Sequence, residues 1–304
     1  MEQINEFHRP PLIKKDDFEA GNMDVLSYSP EDVSQAIVAY VKDGSSSRQQ
    51  EAKDRFEFEG TWNLGNPENI QDLKRLFHLY NAAYFNGLLT DYCHIEVVES
   101  LWEIRRAGGR TSSAAGSCEI FRPGEEPNPR YRIEDPYVRI TITQDRTNGS
   151  IYQRVQRYQS ALLHQMLHAM FLLYTCVCER GCAQKVRHNS NEGAHHLSWQ
   201  AAAQAIEEVD RPGGSMFGFG TDLSRNKSMA TDLLLGYHLS SDASLRYAGL
   251  NIIEILKYRD SSRRAAARED KFKERNNRPL RGSTCLRDQW TVEGWEKHLG
   301  NCGS

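Results

Sequence analysis

The sequence has no apolar run approaching the roughly 20 residues that cross a bilayer. Its mean hydropathy is -0.66, so neither a membrane-spanning helix nor a membrane partner is expected. The opening stretch, MEQINEFHRPPLIKKDDFEA, lacks the apolar segment of a secretory signal, and an intracellular location is expected. Cysteine is scarce and odd in number, seven in 304 residues. A disulfide framework is therefore not expected; free thiols or metal ligands are. Neither sign of charge dominates: lysine and arginine total 38 against 41 acidic residues, a formal net charge of -3. The chain as a whole is no polycation, and contact with nucleic acid would need a local basic patch. No internal repeat is visible.

What the sequence does have is length enough for one large domain or two small ones, with a sizeable core. Residues 1–28 show no sustained period and are expected to be irregular. Ser29, Pro30, Glu31 and Asp32 form a helix start, with a serine cap, proline in the first turn and acids at the positive end. Val33, Ile37, Val38 and Val41 then give one apolar stripe. Residues 44–55 are polar and read as a flexible linker. Ile70, Leu73, Leu76, Phe77, Tyr80 and Tyr84 recur at helical spacing and predict a helix that stops near Asn86-Gly87. Strands are predicted at 94–98, 117–121 and, most clearly, 137–143, with a Gly/Ser-rich turn region at 107–116 and a loop at 123–129.

The stretch Ala161-Leu-Leu-His164-Gln165-Met-Leu-His168-Ala-Met-Phe171 lies inside a helical pattern predicted over 152–174. Two histidines four apart leave the same face of a helix, the spacing by which two imidazoles share a zinc ion. In the HExxH form of this motif the residue after the first histidine is Glu, the general base. Here it is Gln165. An open catalytic zinc site needs a third protein ligand, and the best candidate is His195 on a second helix predicted over 192–208. His196 beside it is an alternate ligand, and if it also ligated, the site would be closed and structural. Glu192 is the nearest stand-in for the missing base, disfavoured by the geometry a base must meet.

The order of these stretches resembles the SprT-like (Spartan-type) zinc metalloprotease family. Tyr80-Asn81 through Gly87-Leu89, the strands, Leu162 to Ala169, and a helix whose histidine stands four residues before an aromatic, His195 and Trp199, follow the family's sequence of motifs. The match covers about half of the chain. The resemblance implies an α+β, zincin-like fold: a small sheet, flanking helices, and a Zn2+ site between two helices held by His164, His168 and His195. It implies protein or peptide substrates, including DNA-bound or DNA-crosslinked proteins. Gln165 departs from the family pattern. An amide has no useful basicity near neutral pH, and losing a positioned base removes about 10²–10⁴ in rate. The expected function is thus a zinc metallopeptidase domain that is inactive or impaired. The alternative is a non-catalytic zinc-containing module that binds DNA or protein.

Three parts are expected: an N-terminal extension (1–65), the SprT-like domain (66–210) and a C-terminal extension (211–304). The last contains a basic segment, 257–281, which begins at Lys257 and ends at Arg281 and holds ten basic against four acidic residues. That segment is a candidate for DNA phosphates, and its composition fits nuclear targeting. Cys176, Cys178 and Cys182 lack a standard zinc spacing. Cys285, His298 and Cys302 are similar to half of the ubiquitin-binding zinc finger of Spartan-type proteins, with Gly282 where a further Cys belongs and Asp288 as an oxygen donor. Met166, Leu167, Met170 and Phe171 read as core, and His188 and His238 as surface residues.

Overall fold

A computed structural model describes residues 10–59, 69–99, 115–123, 135–145, 149–178, 194–238 and 240–276. The chain divides into two compact units, Met1–Asp260 and Ser261–Ser304. The described residues are mixed α and β, with a three-stranded sheet and eight α-helices.

Helix α1 (Pro30–Asp43) starts where the sequence places it. Ser29 accepts the Asp32 N–H, and Gly44 closes the helix in the left-handed region. Val33, Ile37 and Val41 are fully buried, and α1 packs along α5 (Leu197–Asp210). The predicted linker is instead a second helix, α2 (Ser47–Glu59). Its polar sequence hides the reason: the buried Gln49 donates through Nε2 to the carbonyls of Tyr40 and Ala83 at 3.1 Å each, and its Oε1 accepts the Ser46 N–H. Amide hydrogen bonds to neighbouring helices here replace the apolar stripe that periodicity detects. The N-terminal residues 10–28 are irregular apart from one short turn of 3-10 helix, Lys15–Asp17. Phe18, Met23 and Tyr28 nevertheless enter the main core.

Helix α3 (Ile70–Phe85) is capped by Asn69 and ends at Asn86, in the left-handed region at φ 46°. Strands β1 (Cys93–Val98), β2 (Gly116–Phe121) and β3 (Tyr137–Thr143) follow. β3 is central, parallel to β1 and antiparallel to β2. Val138, Ile140 and Ile142 alternate onto one face and are fully buried, as period-2 patterning requires. The long helix α4 (Ile151–Tyr174) packs against β2 and β3 and touches α1, α3 and α5. Ser150 and Gln153 form a reciprocal capping box at its start. Leu162, Leu163, Met166, Leu167 and Met170 are fully buried, each side chain stabilising the fold by about 1.5–3 kcal/mol relative to exposure. At its end the chain at 26–28 is tied to the last turn: the Leu26 N–H donates to the Leu173 carbonyl at 2.6 Å, and Tyr28 bridges Thr175.

Beyond α5 come α6 (Arg225–Leu234), α7 (Asp242–Tyr247) and α8 (Ile252–Asn276). Met229, Ala230, Leu245, Ala248, Leu250 and Ile255 make a second, smaller apolar cluster there. The predicted turn at 107–114, the loop at 124–129 and the run 277–281 fall outside the described residues, as do Cys182, His188, Glu192, Gly282, Cys285, Asp288, His298 and Cys302.

Candidate metal centre

His164 and His168 leave one face of α4, and His195 approaches them from the turn before α5. The sequence places His195 on the second helix; in the structure that helix begins two residues later, at Leu197. The reason is local. His196 is the N-cap, its Nδ1 accepting the Trp199 N–H at 3.3 Å, so the backbone at His195 is released from helical bonding.

The three Nε2 atoms form a nearly equilateral triangle, with separations of 3.1, 3.1 and 3.2 Å. Nitrogens bound to one tetrahedral ion at about 2.0–2.1 Å lie about 3.4 Å apart. The three histidines are thus close enough to share one metal ion. His195 is buried and the other two are half-buried. Trp199, fully buried, floors the cluster: its ring is 5.3 Å from that of His168 and inclined by only 26°, and its centroid is 4.9 Å from His164 and 4.8 Å from His195.

The outer partners fix which nitrogen is free. The His164 Nδ1–H donates to the Leu223 carbonyl at 3.1 Å. The His195 Nδ1–H donates to Asp232 Oδ2 at 3.1 Å, and the same carboxylate oxygen accepts the His195 backbone N–H at 2.9 Å. A carbonyl or carboxylate can only accept, so Nδ1 carries the proton in both rings and Nε2 turns its lone pair toward the triangle. Burial, then the His195 charge, lowers the His164 pKa to about 3. The same two causes, followed by His164 and His196, push His168 well below its ordinary value. Neutral imidazoles are the ligating form, and the donor set suits a first-row divalent ion.

Gln165 is buried against β2. A Cβ at Gly116 would come within 3.3 Å of Gln165 Cγ and 2.7 Å of the Thr141 carbonyl oxygen. Glycine lets the strand approach α4 beside the cluster. His196 is not in the triangle; besides capping α5 it packs edge-on against Phe171 at 5.0 Å. Met166, Leu167, Met170 and Phe171 are core, and His238 is exposed. Cys93 and Cys118 are free thiols, and the three histidines are the metal-competent cluster among the described residues.

Sequence reasoning did not find Asp232, Leu223 or the loop that delivers Leu223. That loop is pinned by Asp210 at the end of α5. The buried Asp210 carboxylate accepts the Tyr84 O–H at 3.0 Å, the Thr221 N–H at 3.2 Å and the Thr221 hydroxyl. Asp232, an Asp on the polar helix α6, carries no sequence signal; only the fold brings it to His195. No family model matches the chain, and neither a curated protein nor a solved structure does.

Proposed function

We propose that this chain is a SprT-like, zincin-type domain that binds Zn2+ through His164, His168 and His195 and engages protein substrates, with peptide hydrolysis impaired by Gln165. The observation that carries the reading is the triangle of Nε2 atoms at 3.1–3.2 Å with Gln165 adjoining the first histidine. A bound Zn2+ would supply Lewis acidity toward a carbonyl and lower the pKa of water. The chain's own contribution is positional. Leu223 and Asp232 orient two ligands, Trp199 packs under all three, and β2 runs beside Gln165. Among the described residues β2 is paired on one side only, by β3. The Gln165 amide can donate a hydrogen bond to a substrate carbonyl and cannot accept a proton near neutral pH.

The test is Gln165→Glu, assayed on casein and on DNA-bound histone. Cleavage should rise about 10²–10⁴-fold over the wild type. No cleavage in a zinc-loaded Gln165→Glu chain would count against peptidase ancestry of the site.

A second reading, non-catalytic binding to DNA, has its own observation. Arg263, Arg264 and Arg268 of the second unit are exposed on α8. Such a helix would hold phosphates in a salt-dependent way, consistent with DNA-bound substrates and a nuclear location. Among the described residues no helix is long and apolar enough to cross a membrane. A DNA mobility shift at low salt that weakens steeply with added salt, and is lost on charge-neutral replacement of these three side chains, is the expected result.

A further inference from the structure

We propose that Arg225 is a positioning residue of the metal centre: one buried guanidinium joins the two separate chains of hydrogen bonds that orient His164 and His195. The inference rests on the metal-centre reading above and concerns a residue that touches none of the three histidines.

Arg225 opens α6 and is only 9% exposed. Its planar fork reaches three ways. Nε–H donates to Gln200 Oε1 at 3.1 Å. Nη1 faces Glu207 Oε2 at 3.6 Å. Nη2–H donates to the Ala248 carbonyl. Each of the first two partners leads to a ligand. Gln200, fully buried, passes its own Nε2–H to the His195 carbonyl at 3.2 Å. Glu207 accepts the Leu223 N–H at 2.8 Å, and the Leu223 carbonyl holds His164 Nδ1 at 3.1 Å. The third arm ends in the small apolar cluster of α6, α7 and α8, through Ala248.

Two turns along the same helix, Asp232 grips His195 directly. The N-terminal end of α6 is thus fixed by Arg225, and its C-terminal end delivers the carboxylate. A shift of α6 would move the Asp232 contact, and a shift of the 221–224 loop would move the Leu223 carbonyl. Arg225 restrains both. A single ammonium presents its donors from one point and cannot reproduce three divergent contacts, whereas a guanidinium holds them in a rigid plane. A helix that merely needed covering would bury an apolar side chain here, because an arginine taken from water costs free energy unless its donors are matched.

The plainer alternative is that Arg225 only holds α6 onto α5. That role would lower the stability of the metal-free protein and leave the ligand geometry of the loaded protein alone. The experiment therefore reads the metal. Zn2+ affinity is measured by chelator competition, and the ligand-field spectrum of the Co2+-loaded chain is recorded, for wild type, Arg225→Met and Arg225→Lys. Both variants should lose severalfold in affinity, less than the about 10–100-fold for removing a direct partner of a ligand, and shift the Co2+ bands. Wild-type affinity and spectrum in Arg225→Met would overturn the inference whatever its stability. Should Arg225→Met fail to fold, Gln200→Leu cuts the His195 arm alone. Weakened Zn2+ binding there supports the inference, and unchanged binding refutes it. A wild-type chain that takes up neither Zn2+ nor Co2+ defeats the metal-centre reading itself, a result distinct from equal binding by wild type and variant.

Discussion

The cluster's ligands are built in two different ways. His164 and His168 owe their shared face to one helix: a four-residue separation on α4 puts both rings on the same side, their Nε2 atoms 3.1 Å apart, and the Leu223 carbonyl then orients His164. His195 has no such support. It stands in a turn, outside any helix, and its place is set by Asp232 from 37 residues away, by Gln200 and by the His196 cap. Helix geometry brings two of the histidines together before any tertiary contact orients them, while the third is brought to the cluster only by contacts that span α5, α6 and the loop between them. Metal binding in such a site reports on the integrity of the distant contacts as well as on the ligands.

Substitutions can break this comparison at different points. The largest effect belongs to His168→Ala, which removes a member of the helical pair. Its Zn2+ affinity should fall by more than the about 10–100-fold that an outer partner costs, read by chelator competition. Next is Asp232→Asn, which leaves α4 untouched and loosens only His195. It should lose about 10–100-fold in affinity while the far-ultraviolet dichroism of the chain is kept. A loss as great as that in His168→Ala would show that the helical pair has no standing of its own.

A smaller effect tests the other side. Ser150→Ala removes the capping box at the start of α4, which lies more than three turns from His164. It should cost about 1 kcal/mol in denaturant unfolding and leave Zn2+ affinity unchanged, because the pair's geometry comes from the helix interior. The smallest is a change of slope. Burial pushes the Glu207 carboxyl up from 4.5 to about 7, against the Leu223 N–H and the Arg225 charge, which pull it down. A carboxyl that holds its proton more tightly in the folded state favours folding below its unfolded pKa and loses that contribution as pH rises through the folded value. Between pH 4.5 and 7 the metal-free wild type should therefore lose stability relative to Glu207→Gln, measured by urea midpoints across the window. Parallel profiles would mean that the Glu207 side chain titrates as an ordinary carboxylate.

The same division decides what was legible before the fold. Helices α1, α3 and α4 announce themselves through caps and apolar stripes, and β3 through alternation, because those signals are local. The pair at 164 and 168 is legible for the same reason, and His195 is legible through its spacing to Trp199 in the order of motifs. Helix α2 was missed because Gln49 secures it through carbonyls of other elements, which no periodicity records. The sequence puts the start of α5 five residues early because histidine is not a residue that marks helix starts by composition, yet His196 caps this one through its ring. Leu223, Arg225 and Asp232 left no trace, since each acts across a gap that only the assembled chain closes.

The measurement that bears most directly on the central claim is the zinc content of the purified wild-type chain by elemental analysis, beside His195→Ala. The account predicts close to one Zn2+ per wild-type chain and a loss to background in the variant. Wild-type protein without zinc, or equal zinc in both chains, would contradict it.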